Sequence, residues 1–234
     1  MSGAEPETMT SKGFFVTGTD TGVGKTLVSA ALTRALVTRG LRVAVMKPVA
    51  SGSDLTPQGP RNSDALALMA ASNVPAPYEV VNPYCFLPPI SPHIAAREAH
   101  AVIDLGLLRS RFDALATASD CVIVEGAGGW LAPISDGATM ADLAASLSLP
   151  VLLVVGLRLG CLNHALLTRE SLITRGAAFA GWIANAVAPH FDRSAENLAT
   201  LTARLGGPPL ARLPFLDRGH GAPDVSAAAD KLCA

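Results

Sequence analysis

Phe14-Phe15-Val16-Thr17-Gly18-Thr19-Asp20-Thr21-Gly22-Val23-Gly24-Lys25-Thr26 is the stretch whose reading decides the fold. Phe14 to Thr17 is a short apolar, β-branched run and reads as a strand. Thr26 to Arg39 places Leu27, Ala30, Ala31, Leu32, Ala35 and Leu36 at helical spacing, with Gly40 as the stop. A glycine-rich loop that follows a strand and opens a helix suits phosphate. Its glycines let several backbone N–H groups point at one anion, and the helix N-terminus adds partial positive charge. Lys25 would reach the β- and γ-phosphates, and the Thr26 hydroxyl can ligate Mg²⁺. The usual motif leaves four residues between its first glycine and the Gly-Lys pair. Here Gly18 leaves five, and Thr19 takes the place of the first glycine. A glycine-rich turn in a nucleotide-free Rossmann-like domain is the alternative reading.

Outward from the loop, strands and helices alternate. Strands are expected at Arg42–Lys47, Asp120–Glu125, Pro150–Val155 and Phe179–Asn185. Helices are expected from a cap at Asn62-Ser63 to Ala71, and at 104–118, 139–148, 162–175 and 192–206. Pro48–Arg61 reads as loop, Asn82–Pro92 as proline-rich loop or edge, Ala127–Gly137 as a glycine-rich loop, and Pro209–Leu216 as extended. The tail suggests a last short helix. Strand–helix alternation predicts an α/β fold of P-loop NTPase type, with a mostly parallel central sheet and helices on both faces. No repeat or linker divides the chain, so one domain over residues 1–234 is expected, with residues 1–12 as a flexible tail.

The chain has 234 residues, half of them hydrophobic and 16% charged, which excludes intrinsic disorder. Its formal charge of -1 gives no reason to expect a nucleic acid or an anionic membrane as partner. The mean hydropathy of +0.37 raises the question of a membrane span. No apolar stretch reaches the ~20 residues a span needs. The N-terminus is polar and lacks the pattern of a signal peptide. Cys85, Cys121, Cys161 and Cys233 show no CxxC spacing, as for thiols in a reducing cytoplasm. The five histidines form no HExxH-type set.

Further candidates lie at strand ends. Glu125 ends a buried strand, where NTPases hold a metal; an acidic residue in a tight turn is the alternative. Asp64 could be a second metal carboxylate or a helix-start Asp favoured by the macrodipole. Lys47 would share a crevice with Lys25 and suit an anionic acceptor or a transferred phosphoryl group; a solvated strand-end lysine is the alternative. Gly160-Cys161-Leu162-Asn163 opens a helix whose free N–H groups could bind a carboxylate, or it is an ordinary strand–helix turn. Lys25, Lys47, Asp64 and Glu125 are expected to converge on one crevice.

ATPases of the chromosome-partitioning type resemble the loop but carry a signature lysine five residues before the loop lysine. Asp20 stands there instead, which weighs against a switch ATPase. The whole pattern resembles the dethiobiotin synthetase family. It is carried, in order, by FFVTGTDTGVGKT, KPVASGS, RNSDALAL, VNPY with SPHIA, VEGAGGW, LPVLLVVGLRLGCLNHA, AGWIAN and LPFL, from Phe14 to about Leu216. KPVASGS argues against a related amidoligase or small-molecule kinase on the same scaffold.

The resemblance implies ATP-dependent ureido ring closure on 7,8-diaminopelargonate and CO₂ or bicarbonate. It implies Mg²⁺ as cofactor and a cytoplasmic homodimer with active sites at the interface. By motif it assigns Lys47, Lys25 and Thr21 to catalysis. Nucleotide contacts would come from Gly22, Val23, Gly24, Lys25, Thr26, Leu27, Asp64, Glu125, Gly126, Ala127 and Gly128, then from Asn185 and Ala186, with Pro214, Phe215 and Leu216 at the base. Thr26, Asp64 and Glu125 would hold the metal. Ser51, Lys47 and Gly160 to Asn163 would bind substrate. Gly22, Ala186 and Asn197 depart from the residues many relatives carry there.

Overall fold

The computed structural model describes residues 12–216 and 223–233. The expected tail at 1–12 therefore lies outside the described residues except for Lys12.

In chain order the elements are β1 (Gly13–Gly18), α1 (Lys25–Thr38), β2 (Val43–Met46), β3 (Val49–Ala50), β4 (Asp54–Thr56) and β5 (Gly59–Arg61). Next come α2 (Ser63–Ala71), α3 (Tyr78–Val81), β6 (Tyr84–Cys85), α4 (Pro92–Glu98), α5 (Leu105–Thr117), β7 (Cys121–Glu125) and α6 (Met140–Leu147). The remainder is β8 (Val151–Leu157), α7 (Cys161–Thr174), β9 (Phe179–Ala186), α8 (Ser194–Arg204), β10 (Ala211–Leu213) and α9 (Ser226–Cys233). Among the described residues the main sheet has the order β10-β9-β8-β1-β7-β2, and every pairing in it is parallel.

Period-two alternation explains why both faces are covered. Phe14 and Val16 point to the side of Leu32, Leu36 and Ala228, on α1 and α9. Phe15 points the other way, among Leu108, Met140 and Leu143 on α5 and α6. Beyond β1, Leu153, Val155 and Trp182 pack under α7 and α8 with Ala165 and Leu201. The high apolar content is thus spent on a sheet buried on both sides. Among the described residues no helix is long and apolar enough to cross a membrane.

Two expectations need correction. Pro48–Arg61 is not all loop. Val49–Ala50 pairs in parallel with Tyr84–Cys85, and Asp54–Thr56 forms a hairpin with Gly59–Arg61. The proline-rich stretch ends in a helix rather than a loop: Pro92 opens α4, because proline costs nothing where the first helical N–H has no partner anyway.

β1 lies centrally, with β7 and β8 on either side. The chain leaves β1 towards β2 on one flank and later returns to β8 on the other. The connections diverge at the C-terminal strand ends, which opens a crevice there.

Candidate active site

The loop between β1 and α1 is tied to two neighbouring strands and braced from within. Thr19 N donates to Val154 O on β8 at 3.0 Å. Asn185 Nδ2, from β9, donates to Val23 O at 2.8 Å. Asp20 Oδ1 accepts from Thr21 N at 2.7 Å. Gly24 turns into the helix at φ 90°, a left-handed conformation that favours glycine. Lys25 Nζ donates to the carbonyl of Asp20 at 3.0 Å. Burial, and then the nearby charge of Lys47, push the Lys25 ammonium down to about 8; Glu125, Asp64 and Asp20 pull the other way.

Three elements meet beside this loop. β2 delivers Lys47, whose backbone is locked by its N–H to Val81 O at 2.8 Å and by Asn82 Nδ2 to its carbonyl at 2.6 Å. α2 delivers Asp64. Asn62 caps that helix by accepting from the N–H groups of Asp64 and Ala65, so the carboxylate sits in the first turn. β7 delivers Glu125. Lys47 Nζ lies between the two acids, 2.5 Å from Glu125 Oε1 and 3.1 Å from Asp64 Oδ2. Thr26 Oγ1 donates to the same Glu125 Oε1 at 2.9 Å. Burial opposes the Lys47 charge, but the two carboxylates outweigh it and hold its pKa above the ordinary value. Burial would likewise raise Asp64, yet Lys47 beside it and the hydrogen bonds of Lys47 and Thr26 hold it low.

These groups line one cleft of about 690 Å³ at the C-terminal end of the sheet. Thr21, Gly22, Gly24, Lys25, Thr26, Lys47, Ser51, Asp64, Glu125, Ala127 and Gly128 all face it. Pro89 to Pro92 and Asn62 complete its wall. Nothing in the local sequence marks those wall residues as part of a site. Their one signal is a place in or beside the SPHIA and RNSDALAL stretches.

Other expected site residues lie off this wall. Val23 is buried in the core below the loop, and Leu27 packs beside the same cluster. Gly126 offers its carbonyl to Lys47 Nζ at 3.4 Å. Asn185 is buried beneath the loop rather than open to the cleft, and its Oδ1 has no hydrogen-bond partner. Ala186 follows it, and Pro214, Phe215 and Leu216 leave β10 directly beyond Leu213, the register partner of Asn185. Gly160 to Asn163 start α7 on the far side of β8 and do not line the cleft of their own chain.

A divalent ion fits the donors present. Glu125 Oε2 is buried without a hydrogen-bond partner, and Thr26 and Asp64 add a hydroxyl and a second carboxylate. Hard oxygen ligands are what Mg²⁺ selects. Among the described residues no group of three or more His, Cys, Asp or Glu could hold a metal. The protein supplies a partial set, as suits an ion that shares its shell with water and phosphate.

Comparison with known proteins agrees with this geometry. A family profile described as an AAA domain matches residues 12–220. An ATP-dependent dethiobiotin synthetase of Pseudomonas aeruginosa strain UCBPP-PA14 is 51% identical over 205 residues, covering 87% of this chain and 90% of the relative. One from Escherichia coli O157:H7 is 50% identical over 206 residues, covering 88% and 92%. In fold the chain is similar to the MinD cell division protein of Aquifex aeolicus, with a TM-score of 0.56 at 16% identity, covering 95% of each chain. It is also similar to a ParA family ATPase of Chlorobium tepidum TLS, with a TM-score of 0.53 at 15% identity, covering 95% and 89%. Those two likenesses establish an α/β P-loop architecture and nothing about activity. The family profile spans the loop, the cleft and the sheet alike, the curated relatives match most of the chain at about half identity, and the chain belongs to the ATP-dependent dethiobiotin synthetase family, a family of ligases.

Proposed function

We propose that this protein closes the ureido ring of dethiobiotin from 7,8-diaminopelargonate (7,8-diaminononanoate), CO₂ and ATP, releasing ADP and phosphate. One amine adds to CO₂ and loses a proton, giving a carbamate. A carbamate oxygen takes the γ-phosphoryl group as ADP leaves, giving a carbamic–phosphoric anhydride. The second amine attacks the carbonyl carbon, the C–O bond breaks towards phosphate, the nitrogen gives up a proton, and the ring is closed.

The observation that carries this reading is two lysines and two carboxylates around one phosphate-loop cleft. Joining an anionic carbamate to an anionic phosphoryl group needs cations at crowded oxygens more than it needs acid–base groups. Lys25 would hold the β- and γ-phosphates. Lys47 would offer its ammonium to the carbamate and the transferred group, and Thr21 and Ser51 would orient the reacting end. Mg²⁺ held by Thr26, Asp64 and Glu125 would neutralise phosphate oxygens as a Lewis acid. Asn185, whose buried Oδ1 has no hydrogen-bond partner, would read the adenine amino group once the loop above it makes room, beside Pro214 to Leu216.

The same proposal takes residues 1–234 as one domain in a cytoplasmic homodimer. Leu159 is 93% exposed, and Leu167 and Ile173, on α7, are 57% and 61% exposed. A second copy would cover exposed apolar side chains of this kind. Gly160 to Asn163 would then serve the partner's cleft and receive the substrate carboxylate on backbone N–H groups.

The test is phosphate release with Mg²⁺, ATP, the diamine and bicarbonate, omitting each in turn. Release should require all four. Release indifferent to the diamine would sink the reading.

A pH dependence follows from Lys25. In the free protein its ammonium loses its proton near pH 8, whereas phosphates beside it favour the charged form. Affinity for a non-hydrolysable ATP analogue is therefore expected to fall as pH rises through about 8, by up to about tenfold per unit. Calorimetry in buffers of different ionisation enthalpy should show proton uptake on binding in that range. Affinity flat from pH 7 to about 9.5 would remove Lys25 as the titrating group.

A further inference from the structure

Asp20 lies in the phosphate loop, and Arg158 lies 138 residues later, between β8 and α7. The Arg158 guanidinium forms a salt bridge to Asp20 Oδ2. The other carboxylate oxygen, Oδ1, accepts from Thr21 N at 2.7 Å. The carbonyl of Asp20 accepts from Lys25 Nζ at 3.0 Å. On the far side, the carbonyl of Arg158 accepts from the N–H of Cys161, the first residue of α7, at 3.0 Å. One run of contacts thus links Lys25, Asp20, Arg158 and Cys161, from the phosphate lysine to the amide end of α7.

Both side chains are nearly half exposed, at 42% and 44%. A pair this wet adds little to stability. It bridges the phosphate loop to the turn between β8 and α7. An acid at position 20, where the switch ATPases hold a lysine, is what permits this pairing within the chain.

We propose that Asp20 and Arg158 are positioning residues that couple the seating of nucleotide on a protomer's own phosphate loop to the seating, at its α7 N-terminus, of the substrate carboxylate that belongs to the partner's cleft. The coupling rests on the synthetase reading above. The Lys25 ammonium donates to the Asp20 carbonyl, and phosphates on the loop would compete for the same ammonium. Phosphates draw the lysine away, and the loop is then held near Thr21 by the Asp20 carboxylate and Arg158. A carboxylate bound at the α7 amides steadies the Arg158 backbone, and through it Asp20 and Thr21. Such coupling is reciprocal, so each ligand strengthens the other.

The experiment is the KM for ATP at scarce and at saturating diamine. In the wild type, saturating diamine is expected to lower it about fivefold. Arg158→Lys keeps the charge and should keep the effect. Arg158→Gln and Asp20→Asn should lose it, with kcat at saturation of both substrates within about twofold of wild type. Asp20→Asn retains an Oδ1 for Thr21 N, so it removes the charge pair alone. The double variant should be no worse than either single one. Persistence of the effect in Arg158→Gln and Asp20→Asn, or additive losses in the double variant, overturns the coupling. A wild type that turns over the diamine with an ATP KM independent of it also overturns the coupling and leaves the synthetase reading intact. A wild type without diamine-dependent turnover overturns both.

Discussion

Lys47→Ala is expected to cut turnover by on the order of a thousandfold, and to cost the folded state ~3–5 kcal/mol. The two effects have one origin. The Lys47 side chain is 4% exposed and faces Glu125, whose side chain is 1% exposed, with Asp64 on its other side. Removing it takes a cation from the anionic chemistry and leaves a buried carboxylate without its partner. From the sequence, Lys47 reads equally well as a solvated strand-end lysine, whose loss would spare the fold. Its burial between two acids excludes that alternative. Pairing Lys47→Ala with Glu125→Gln separates the two effects. The double variant should recover much of the stability, because the buried charge is gone, and none of the activity. Denaturant unfolding reads the first, and phosphate release the second. Near-normal turnover in Lys47→Ala would remove the residue from its assigned role.

Gly24→Ala is expected to lower kcat/KM for ATP by on the order of a hundredfold. Gly24 has φ +90°, and a Cβ there would lie 2.2 Å from Asn185 Nδ2, the atom that donates to Val23 O. Alanine would therefore strain the turn and also break the strut under the loop. Gly22→Ala separates these causes. Gly22 has φ +74°, but a Cβ there would meet no protein atom within 4 Å, so this variant strains the turn without breaking the strut and should lose much less. Equal losses in the two variants would show that the Asn185 contact is not what holds the loop.

The fold was legible where burial dictates sequence. β7 and β8 sit inside the sheet, where burial on both faces selects apolar residues, so Asp120–Glu125 and Pro150–Val155 read as strands, and the strands run over Cys121–Glu125 and Val151–Leu157. The Asp54–Arg61 hairpin was not legible. It lies on the surface, Leu55 is 73% exposed, and no buried face imposes alternation on it. α4 was hidden because a proline among prolines reads as loop, although Pro92 stands at the one helical position that tolerates it.

The site divides the same way. Lys25 and Thr26 follow the glycine loop directly, so their place is local information. Lys47, Asp64 and Glu125 are each ambiguous alone. What resolves them is an ammonium held between two acids 17 and 78 residues away, which only the strand order brings together. Asn185 reads as a polar residue at a strand end, while its bond to Val23 O spans 162 residues. The Asp20–Arg158 bridge is non-local in the same sense, and no spacing in the sequence announces it.

Whether the two lysines and the carboxylates serve the joining of a carbamate to a phosphoryl group is tested most directly by following isotopically labelled bicarbonate. The protein is incubated with Mg²⁺, ATP, 7,8-diaminononanoate and labelled bicarbonate, and product and ADP are quantified by mass spectrometry. The expected product is a cyclic urea that carries one labelled carbon for each ADP formed, with essentially none from Lys47→Ala. ADP formed at the same rate without the diamine, or a product free of label, would contradict that role.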